Sequence, residues 1–237
     1  MIKKLKCKNH KHTTKEHNDE VCPDCGEVHD DEDEGYTFTP GDKTRTPDDK
    51  QLRTLGLYGE VNESRASEIV AGLIHFRDTA KRQQVVSVDK DGEPTFGDTY
   101  EPIEFVLSTP GGSAVDMMSI YDVMRQVQKT CEVHTFGIGR VMSAGILLIA
   151  AGTKGQRRAG KHCRFMLHNH QSGFSGNLDD LSTMYDEVMR MQEAYTDELV
   201  SLSKLSKKRL QAIMKTKTDF YFSAEEAKKF GLIDEVV

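Results

Sequence analysis

The stretch that decides the fold is Val133-His-Thr-Phe-Gly-Ile-Gly-Arg-Val-Met-Ser143-Ala-Gly-Ile-Leu-Leu-Ile-Ala-Ala151. Residues 133–138 are rich in β-branched and aromatic residues, which predicts a strand. Residues 144–151 are apolar throughout and predict a short buried helix. Ser143 therefore stands where a strand gives way to a helix. A helix start exposes N–H groups and a partial positive charge, which suits a nucleophile and an oxyanion. Because serine is also a common N-cap, this stretch alone leaves both interpretations open.

Strands and helices alternate on both sides of this stretch. Before it we predict strands over residues 55–61 and 103–107, and helices over residues 66–76 and from Ser113 to about residue 129. After it, residues 164–167 predict a strand. Residues 81–100 contain an Asp-Gly pair between short apolar runs, which predicts a hairpin. Such alternation is typical of an α/β fold with a mainly parallel sheet.

Two helices are predicted in the last third of the chain. The first is long and has a single apolar stripe with spacings of three and four, formed by Met184, Val188, Met191, Tyr195, Leu199 and Leu202. It is either an ordinary surface helix or a helix that packs against another subunit. The second begins with the capping box Ser223-Ala-Glu-Glu226 and ends at Gly231.

Composition narrows the class of protein. The chain has 237 residues, of which 37% are hydrophobic and 30% charged, and its net charge is −6. No run approaches the roughly 18 apolar residues that a membrane-spanning helix needs, and the basic N-terminus is not followed by the apolar stretch of a secretory signal. We therefore expect a cytoplasmic protein with no membrane partner. The net negative charge gives no reason to expect nucleic acid as a partner.

Composition also divides the chain into three parts. Residues 1–30 are rich in His, Lys and Cys, residues 31–50 are an acidic and polar linker, and residues 51–237 contain the alternating strands and helices. The five cysteines are an odd number and three of them lie in the first 25 residues, which argues against a disulfide framework.

The N-terminal segment has the spacing of a metal site. Cys7-x-x-His10 and Cys22-x-x-Cys25 supply two pairs of soft ligands, as in a tetrahedral zinc site. Cys22-Pro-Asp-Cys25-Gly resembles a zinc-ribbon knuckle. Four protein ligands leave no open position, so we expect a structural Zn²⁺. His12, His17 and His29 are alternative ligands, and a redox pair or a simple His- and Cys-rich tail are alternative interpretations.

Residues 155–161 resemble a nucleotide-binding P-loop but lack two of its features. Gly155-Gln-Arg-Arg-Ala-Gly-Lys161 matches most of a P-loop, but His162 replaces the Ser or Thr that would hold magnesium. The motif also precedes a predicted strand instead of joining a strand to a helix. We therefore predict a turn there, and no ATPase activity in this chain.

Four segments, in this order, resemble the Clp protease proteolytic-subunit family (ClpP). They are Ser108-Thr-Pro-Gly-Gly112-Ser with the later Ile120-Tyr-Asp122, Gly137-Ile-Gly-Arg-Val-Met-Ser143-Ala-Gly145, Arg164-Phe-Met-Leu-His168, and Asp219-Phe-Tyr-Phe-Ser-Ala-Glu-Glu-Ala227 with the terminal Gly231-Leu-Ile-Asp234. The resemblance covers about residues 53–237. The order Ser, His, Asp also differs from the orders in α/β-hydrolases, chymotrypsin and subtilisin.

The resemblance implies a fold, a site and partners. The fold would be crotonase-type, with repeated ββα units and a long handle helix. The triad would be Ser143 as nucleophile, His168 as base and Asp219 as orienting acid, with the N–H groups of Gly112 and Ala144 as the oxyanion hole. The protein would form homo-oligomeric heptameric rings, two of which enclose a chamber, and would cleave peptides or unfolded polypeptides delivered by a separate Clp-type ATPase.

Taken singly, these residues have ordinary interpretations. A histidine at a strand end is usually structural, His170 competes with His168, and Asp219 could simply be a turn residue. Two further hypotheses therefore remain beside the active peptidase. One is a catalytically weak, ClpP-like ring subunit with a structural or regulatory role. The other is a crotonase-type acyl-CoA enzyme, which would use acidic residues instead of this Ser–His–Asp set.

Overall fold

The computed structural model describes residues 52–88, 90, 92–169, 177–215 and 218–237. The strands in these ranges are β1 (Thr54–Tyr58), β2 (Lys81–Val88), β3 (Pro94–Tyr100), β4 (Ile103–Thr109), β5 (Val133–Met142), β6 (Arg157–Ala159), β7 (Arg164–Leu167), β8 (Phe220–Ser223) and β9 (Glu235–Val236). The helices are α1 (Glu63–Asp78), α2 (Ala114–Val127), α3 (Ala144–Ala150), α4 (Leu178–Leu202), α5 (Lys207–Met214) and α6 (Ala224–Lys229). The predicted parts 1–30 and 31–50, the zinc ligands Cys7, His10, Cys22 and Cys25, and His170 all lie outside the described residues.

Seven of these strands form one mixed sheet. Its main path is β1-β4-β5-β6-β9, and all of these neighbours are parallel. β7 is parallel to β5, and β8 is antiparallel to β7. The prediction of a mixed α/β fold with a mainly parallel sheet is confirmed.

β5 has two successive partners along its length. Residues 135–137 pair with β6, and residues 140–142 pair with β7. This second pairing extends the strand to Met142, four residues beyond the predicted end at residue 138. Because Gly139 has a φ of 60°, the chain changes direction between the two pairings, and glycine permits that conformation. β5 therefore delivers Ser143 directly beside β7.

Helix boundaries follow the capping residues in the sequence. Ser113 accepts a hydrogen bond from the Asp116 N–H and begins α2, as predicted. The capping box of Ser223 and Glu226 is complete and begins α6. α6 ends at Lys229, and Gly231, with a φ of 73°, follows just beyond it.

The core lies between the helices and the seven-stranded sheet. All seven residues of α3 are buried, which explains why its sequence carries no polar side chain. α2 and α1 contribute apolar side chains to the same core, and the largest fully buried ones include Phe105, Phe165, Phe222, Leu57, Leu73, Met117 and Ile120.

α4 is buried along only part of its length. Its buried residues are Tyr195, Thr196 and Leu199, all in the C-terminal half. Near its N-terminus, Met184, Tyr185 and Met189 are exposed. The apolar stripe predicted from the sequence therefore packs on this chain's core only toward its C-terminal end.

The predicted hairpin over residues 81–100 is present as β2 and β3. Among the described strands these two pair only with each other, with Lys81 opposite Tyr100 at the base. The Glu101 N–H donates to the Ala80 carbonyl and closes that base. The large apolar side chains of the hairpin are exposed, namely Val85, Val86, Val88, Phe96 and Tyr100. Nearly all of the hairpin therefore lies outside the core.

The segment that resembles a P-loop has a different structure. Residues 157–159 form β6, and residues 160–162 lead through a turn into β7. A P-loop wraps phosphate between a strand and a following helix, and no helix follows here. Among the helices in the described ranges, none combines the length and apolar character that a bilayer crossing requires.

Candidate active site

Ser143, His168 and Asp219 are carried by three neighbouring strands. Ser143 follows β5, His168 follows β7, and Asp219 precedes β8. The Ser143 N–H donates to the Met166 carbonyl at 2.9 Å, so the pairing of β5 with β7 continues to the serine itself. Leu167 pairs with Phe220 in the antiparallel ladder, which sets His168 and Asp219 side by side just beyond it.

The serine hydroxyl is hydrogen-bonded to the histidine. Ser143 Oγ lies 2.8 Å from His168 Nε2. Ser143 occupies the N-cap position of α3, but its side chain makes no capping hydrogen bond. The N-cap interpretation of this serine is therefore wrong for its side chain, because the hydroxyl faces the imidazole instead of the helix N–H groups.

The backbone of Ser143 is strained. Its φ of 52° and ψ of −117° place it in a region that residues with a side chain rarely adopt. It is the only residue other than glycine with a positive φ among the described residues. Such strain is found where a protein fixes a reactive side chain at a sharp turn.

Asp219 lies farther from His168 than Ser143 does. Asp219 Oδ1 lies 3.6 Å from His168 Nδ1, beyond the usual length of a hydrogen bond, and the Asp219 side chain is 41% exposed. The Tyr221 hydroxyl donates to the other carboxylate oxygen, Oδ2, at 3.3 Å. A catalytic contact of this kind often tightens only when substrate binds.

Gly112 and Ala144, which lie beside Ser143, each have a backbone N–H. Val61 pairs with the residues on either side of Gly112, because its N–H donates to Gly111 and its carbonyl accepts from Ser113. The Gly112 N–H is therefore directed away from Val61. Ala144 opens α3, where an N–H has no intrahelical acceptor. Neither N–H has an acceptor within the part of the chain that the structure describes.

The glycines of the 110–113 turn allow a close approach of backbone to the serine. A Cβ on Gly111 would lie 2.6 Å from Ser143 Cβ, and a Cβ on Gly112 would lie 2.2 Å from the Val61 carbonyl oxygen. Both glycines have a positive φ, of 100° and 149°. Glycine at residue 112 is therefore required both by the close approach of Val61 and by its positive φ.

The serine, the histidine and the two backbone donors lie on one cleft of about 570 Å³, and Asp219 is not among the residues that line it. Ser143, His168, Gly112 and Ala144 line it together with apolar side chains from α2 and α4, namely Val115, Met117, Val188, Met191 and Tyr195. Two carboxylates, Glu60 and Glu187, also lie along it. The cleft has a volume sufficient for a few amino-acid side chains and offers apolar walls beside the serine.

The described cysteines have no part in this cleft. Cys131 and Cys163 are both free and buried. Burial raises the pKa of the Cys163 thiol to about 12 and also raises the pKa of Cys131. Both thiols are therefore protonated near neutral pH and are poor nucleophiles. No cluster of three or more metal-binding side chains occurs among the described residues.

One contact in the site was not foreseen in the sequence. The Tyr195 hydroxyl donates to the Ser143 carbonyl oxygen at 3.1 Å. Tyr195 was recognised only as a member of the apolar stripe, and its spacing gave no sign of a polar contact 52 residues away. A buried tyrosine usually finds a hydrogen-bond partner, which is the one signal that the sequence offered.

A serine hydroxyl held on a histidine, beside free backbone N–H groups, is the arrangement of a serine-type hydrolase. The family model for Clp protease matches residues 96–237. "ATP-dependent Clp protease proteolytic subunit 3" from Synechococcus sp. is 36% identical over 187 residues, which are 78% of this chain and 82% of that protein. The subunit 3 protein of Parasynechococcus marenigrum matches to the same extent.

A third relative is "ATP-dependent Clp protease proteolytic subunit 1" from Prochlorococcus marinus subsp. pastoris. It is 37% identical over 141 residues, which are 59% of this chain and 69% of that protein. The chain belongs to the Clp protease family, and it is a serine-type peptidase.

Proposed function

We propose that the chain is an endopeptidase in which Ser143 is the nucleophile, His168 the general base and Asp219 the residue that orients the imidazole. The observation that carries this proposal is the 2.8 Å contact between Ser143 Oγ and His168 Nε2 at a strained strand-to-helix turn. In this geometry Nε2 accepts the serine proton, so Nδ1 carries the other proton and faces Asp219.

The reaction proceeds through an acyl-enzyme. Ser143 Oγ attacks the peptide carbonyl carbon while its proton passes to His168 Nε2, and the carbonyl oxygen becomes an oxyanion. The N–H groups of Gly112 and Ala144 stabilise that oxyanion. The C–N bond then breaks, and His168 gives its proton to the leaving amine. Water, deprotonated by His168, releases the acyl group and restores the Ser143 hydroxyl.

The alternative is a catalytically weak ring subunit, and one observation favours it. The 3.6 Å separation and the exposure of Asp219 leave the imidazole without a close carboxylate partner. If Asp219 does not close on His168 when substrate binds, the imidazolium would be poorly stabilised. The crotonase-type acyl-CoA hypothesis has no comparable support, because the cleft offers a serine and a histidine beside the backbone donors.

Labelling with a fluorophosphonate probe tests the nucleophile. We expect the wild-type protein to label, and Ser143→Ala and His168→Ala to remain unlabelled while folded. Ser119→Ala is the matched control, because Ser119 is exposed on α2 and bonds only back to Val115 of its own helix. Labelling of the Ser143→Ala variant would refute the proposal, and a folded wild type that fails to label would favour the weak ring subunit.

We also propose that the chain works as a homo-oligomer of heptameric rings, two of which enclose the cleft in a chamber. The names of the relatives describe subunits of an ATP-dependent protease, which supports a separate Clp-type ATPase as the partner that delivers unfolded polypeptides. Exposed apolar residues on the N-terminal half of α4 support a contact between subunits. Mass photometry should give particles of seven or fourteen subunits, and a monomer at micromolar concentration would contradict this.

We propose separately that residues 1–30 bind one structural Zn²⁺ through Cys7, His10, Cys22 and Cys25, and that residues 31–50 link this segment to the peptidase domain of residues 51–237. The support is the spacing of the two ligand pairs. Elemental analysis should find about one zinc per chain, lost in Cys22→Ser and retained in Cys131→Ala. Equal zinc content in the two variants would contradict the assignment.

A further inference from the structure

Tyr195 brings a buried hydroxyl from α4 to the nucleophile segment. The residue is 4% exposed, and its hydroxyl donates to the Ser143 carbonyl oxygen at 3.1 Å. Its ring lines the cleft beside Ser143 and Ala144. α4 and the turn at Ser143 thus meet through a directional contact as well as through apolar packing.

The carbonyl that Tyr195 holds belongs to the peptide unit that also carries the Ala144 N–H. A peptide bond is planar and trans, so its C=O and N–H point in opposite directions. A donor that fixes the direction of the Ser143 C=O therefore fixes the direction of the Ala144 N–H. The Ile146 N–H donates to the same carbonyl at 3.0 Å, so this oxygen has two donors.

The strained backbone of Ser143 makes a second donor useful. The combination of a φ of 52° and a ψ of −117° is unfavourable for a residue with a side chain. Rotation of the Ser143–Ala144 peptide would change this ψ and so relieve the strain. The Ile146 bond belongs to the first turn of α3, a helix of only seven residues. Tyr195 adds a restraint that comes from a different helix.

The Tyr195 hydroxyl has a proton to donate at neutral pH. Burial raises the pKa of its hydroxyl, so the group stays protonated over the whole range in which a histidine base works. A phenol that never ionises near neutral pH is unsuited to proton transfer but suited to holding a carbonyl.

We propose that Tyr195 is a positioning residue whose hydroxyl keeps the Ser143–Ala144 peptide turned so that the Ala144 N–H faces the oxyanion. This inference rests on the proposed function, because it takes Ser143 as nucleophile and Ala144 as an oxyanion donor. Tyr195 stabilises the transition state without touching the reacting atoms. Its loss should lower kcat more than it changes KM, because the oxyanion exists only after attack.

Tyr195→Phe removes only the hydroxyl and tests this directly. We expect kcat on a fluorogenic peptide to fall about tenfold with KM nearly unchanged, which is less than the hundredfold or more that follows loss of an oxyanion donor itself. A peptide boronate, whose tetrahedral adduct uses the oxyanion donors, should lose affinity by about the same factor. A peptide with a C-terminal amide, which forms no tetrahedral adduct, should bind as it does to the wild type.

Tyr121→Phe is the matched control. Tyr121 is also buried, and its hydroxyl bonds to Glu198 of the same helix α4, away from the Ser143 peptide. Both variants lose one tyrosine hydroxyl that anchors α4, so a general loosening of that helix would affect both. Only the Tyr195 variant should lose boronate affinity.

A fluorinated tyrosine at residue 195 provides a second test that preserves shape. It changes the donor strength of the hydroxyl with little change in volume, so kcat and boronate affinity should vary together with hydroxyl acidity. No change in either quantity, with either substitution, would overturn the inference. If Ser143→Ala still hydrolysed peptide or labelled, the proposed function itself would be refuted. That failure can be told apart from a failure of the Tyr195 inference, because the Ser143 variant leaves Tyr195 unchanged.

Discussion

Ser143 combines two properties that usually belong to different residues, since its backbone has a positive φ and its side chain carries the hydroxyl of the proposed nucleophile. Glycine would satisfy the backbone, and a serine in extended or helical conformation would avoid the strain. The hydrogen bonds that hold the residue come from three elements. They are the Met166 carbonyl of β7, the Ile146 N–H of α3 and the Tyr195 hydroxyl of α4. The site is thus fixed by its surroundings more than by local preference.

A prediction at residue scale concerns Gly112. Gly112→Ala would place a Cβ 2.2 Å from the Val61 carbonyl oxygen at a φ of 149°, so the turn must move. Because the Gly112 N–H then leaves its position in the cleft, we expect kcat/KM for peptide hydrolysis to fall by about a hundredfold or more.

Gly92→Ala separates steric clash from backbone strain in this experiment. Gly92 also has a positive φ, of 85°, but a Cβ there meets nothing within 4 Å, and it lies in the hairpin. That variant should keep full activity. Activity near the wild-type level in Gly112→Ala would show that this N–H does not contribute to the oxyanion hole.

The sequence predicted which residues lie close together better than it predicted the contacts between them. Ser143, His168 and Asp219 were expected to converge, and the structure brings the first two within hydrogen-bonding distance. The longer separation of Asp219 from His168 was not foreseeable, because it depends on how β7 and β8 end. Whether these residues catalyse remains the prediction that the labelling experiment tests.

At the scale of elements, local patterns predicted most of the strands and helices. Capping residues and apolar periodicity are local properties, so α2, α6 and β7 could be placed from the sequence. The end of β5 was misplaced because its last residues pair with β7, which lies more than 20 residues later. α5 was missed because it has only eight residues and its first three are charged. Pairing at long range and weak periodicity limit such predictions.

The hairpin of β2 and β3 supports a prediction at this scale. Replacing residues 82–99 by Asn-Gly would join Lys81 to its cross-strand partner Tyr100 through a two-residue turn. Because the hairpin adds no side chain to the buried core, we expect the melting temperature to change by less than about 4 °C, which corresponds to about 1 kcal/mol.

Calorimetry and peptide hydrolysis provide the measurements for the shortened chain. Activity toward a short peptide should be retained, since none of the removed residues lines the cleft. Ala80→Asp is the control, because Ala80 is fully buried at the hairpin base and a charge there should lower the melting temperature strongly. A similar loss in the shortened chain would mean that the hairpin stabilises the domain.

At the scale of the whole molecule, Arg157 joins distant parts of the chain. Its guanidinium is 3% exposed and pairs with Asp234 at 2.7 Å, and it also donates to the Leu202 carbonyl at 2.8 Å and the Ala150 carbonyl at 3.3 Å. These contacts link β6 to the C-terminal segment and to the ends of α4 and α3. The same arginine belongs to the segment that resembles a P-loop, where its role is structural.

The pH dependence of stability should reflect this ion pair. Partial burial acts to raise the pKa of Asp234, but hydrogen bonds from Arg157 and Gly155 outweigh it, so the pKa lies below its usual value of 3.8. The carboxylate therefore stabilises the folded state fully above that value, and the contribution is lost as the pH falls through the lowered pKa.

Asp234→Asn should lower the free energy of unfolding near pH 7 by about 3 kcal/mol, because the buried Arg157 loses its counter-charge. Urea unfolding between pH 7 and pH 3 provides the measurement. The wild-type and variant curves should approach each other at the acid end. A constant difference across this range would show that the charge of Asp234 contributes little.

The strain at Ser143 also has a consequence for how such a chain would evolve. Ser143→Gly would relax the backbone, so the substitution that removes the proposed nucleophile would also raise thermal stability. In a lineage where peptide cleavage is not selected for, a mutation to glycine at residue 143 would not reduce the stability of the fold. Selection for catalysis and selection for stability thus act in opposite directions on a single codon.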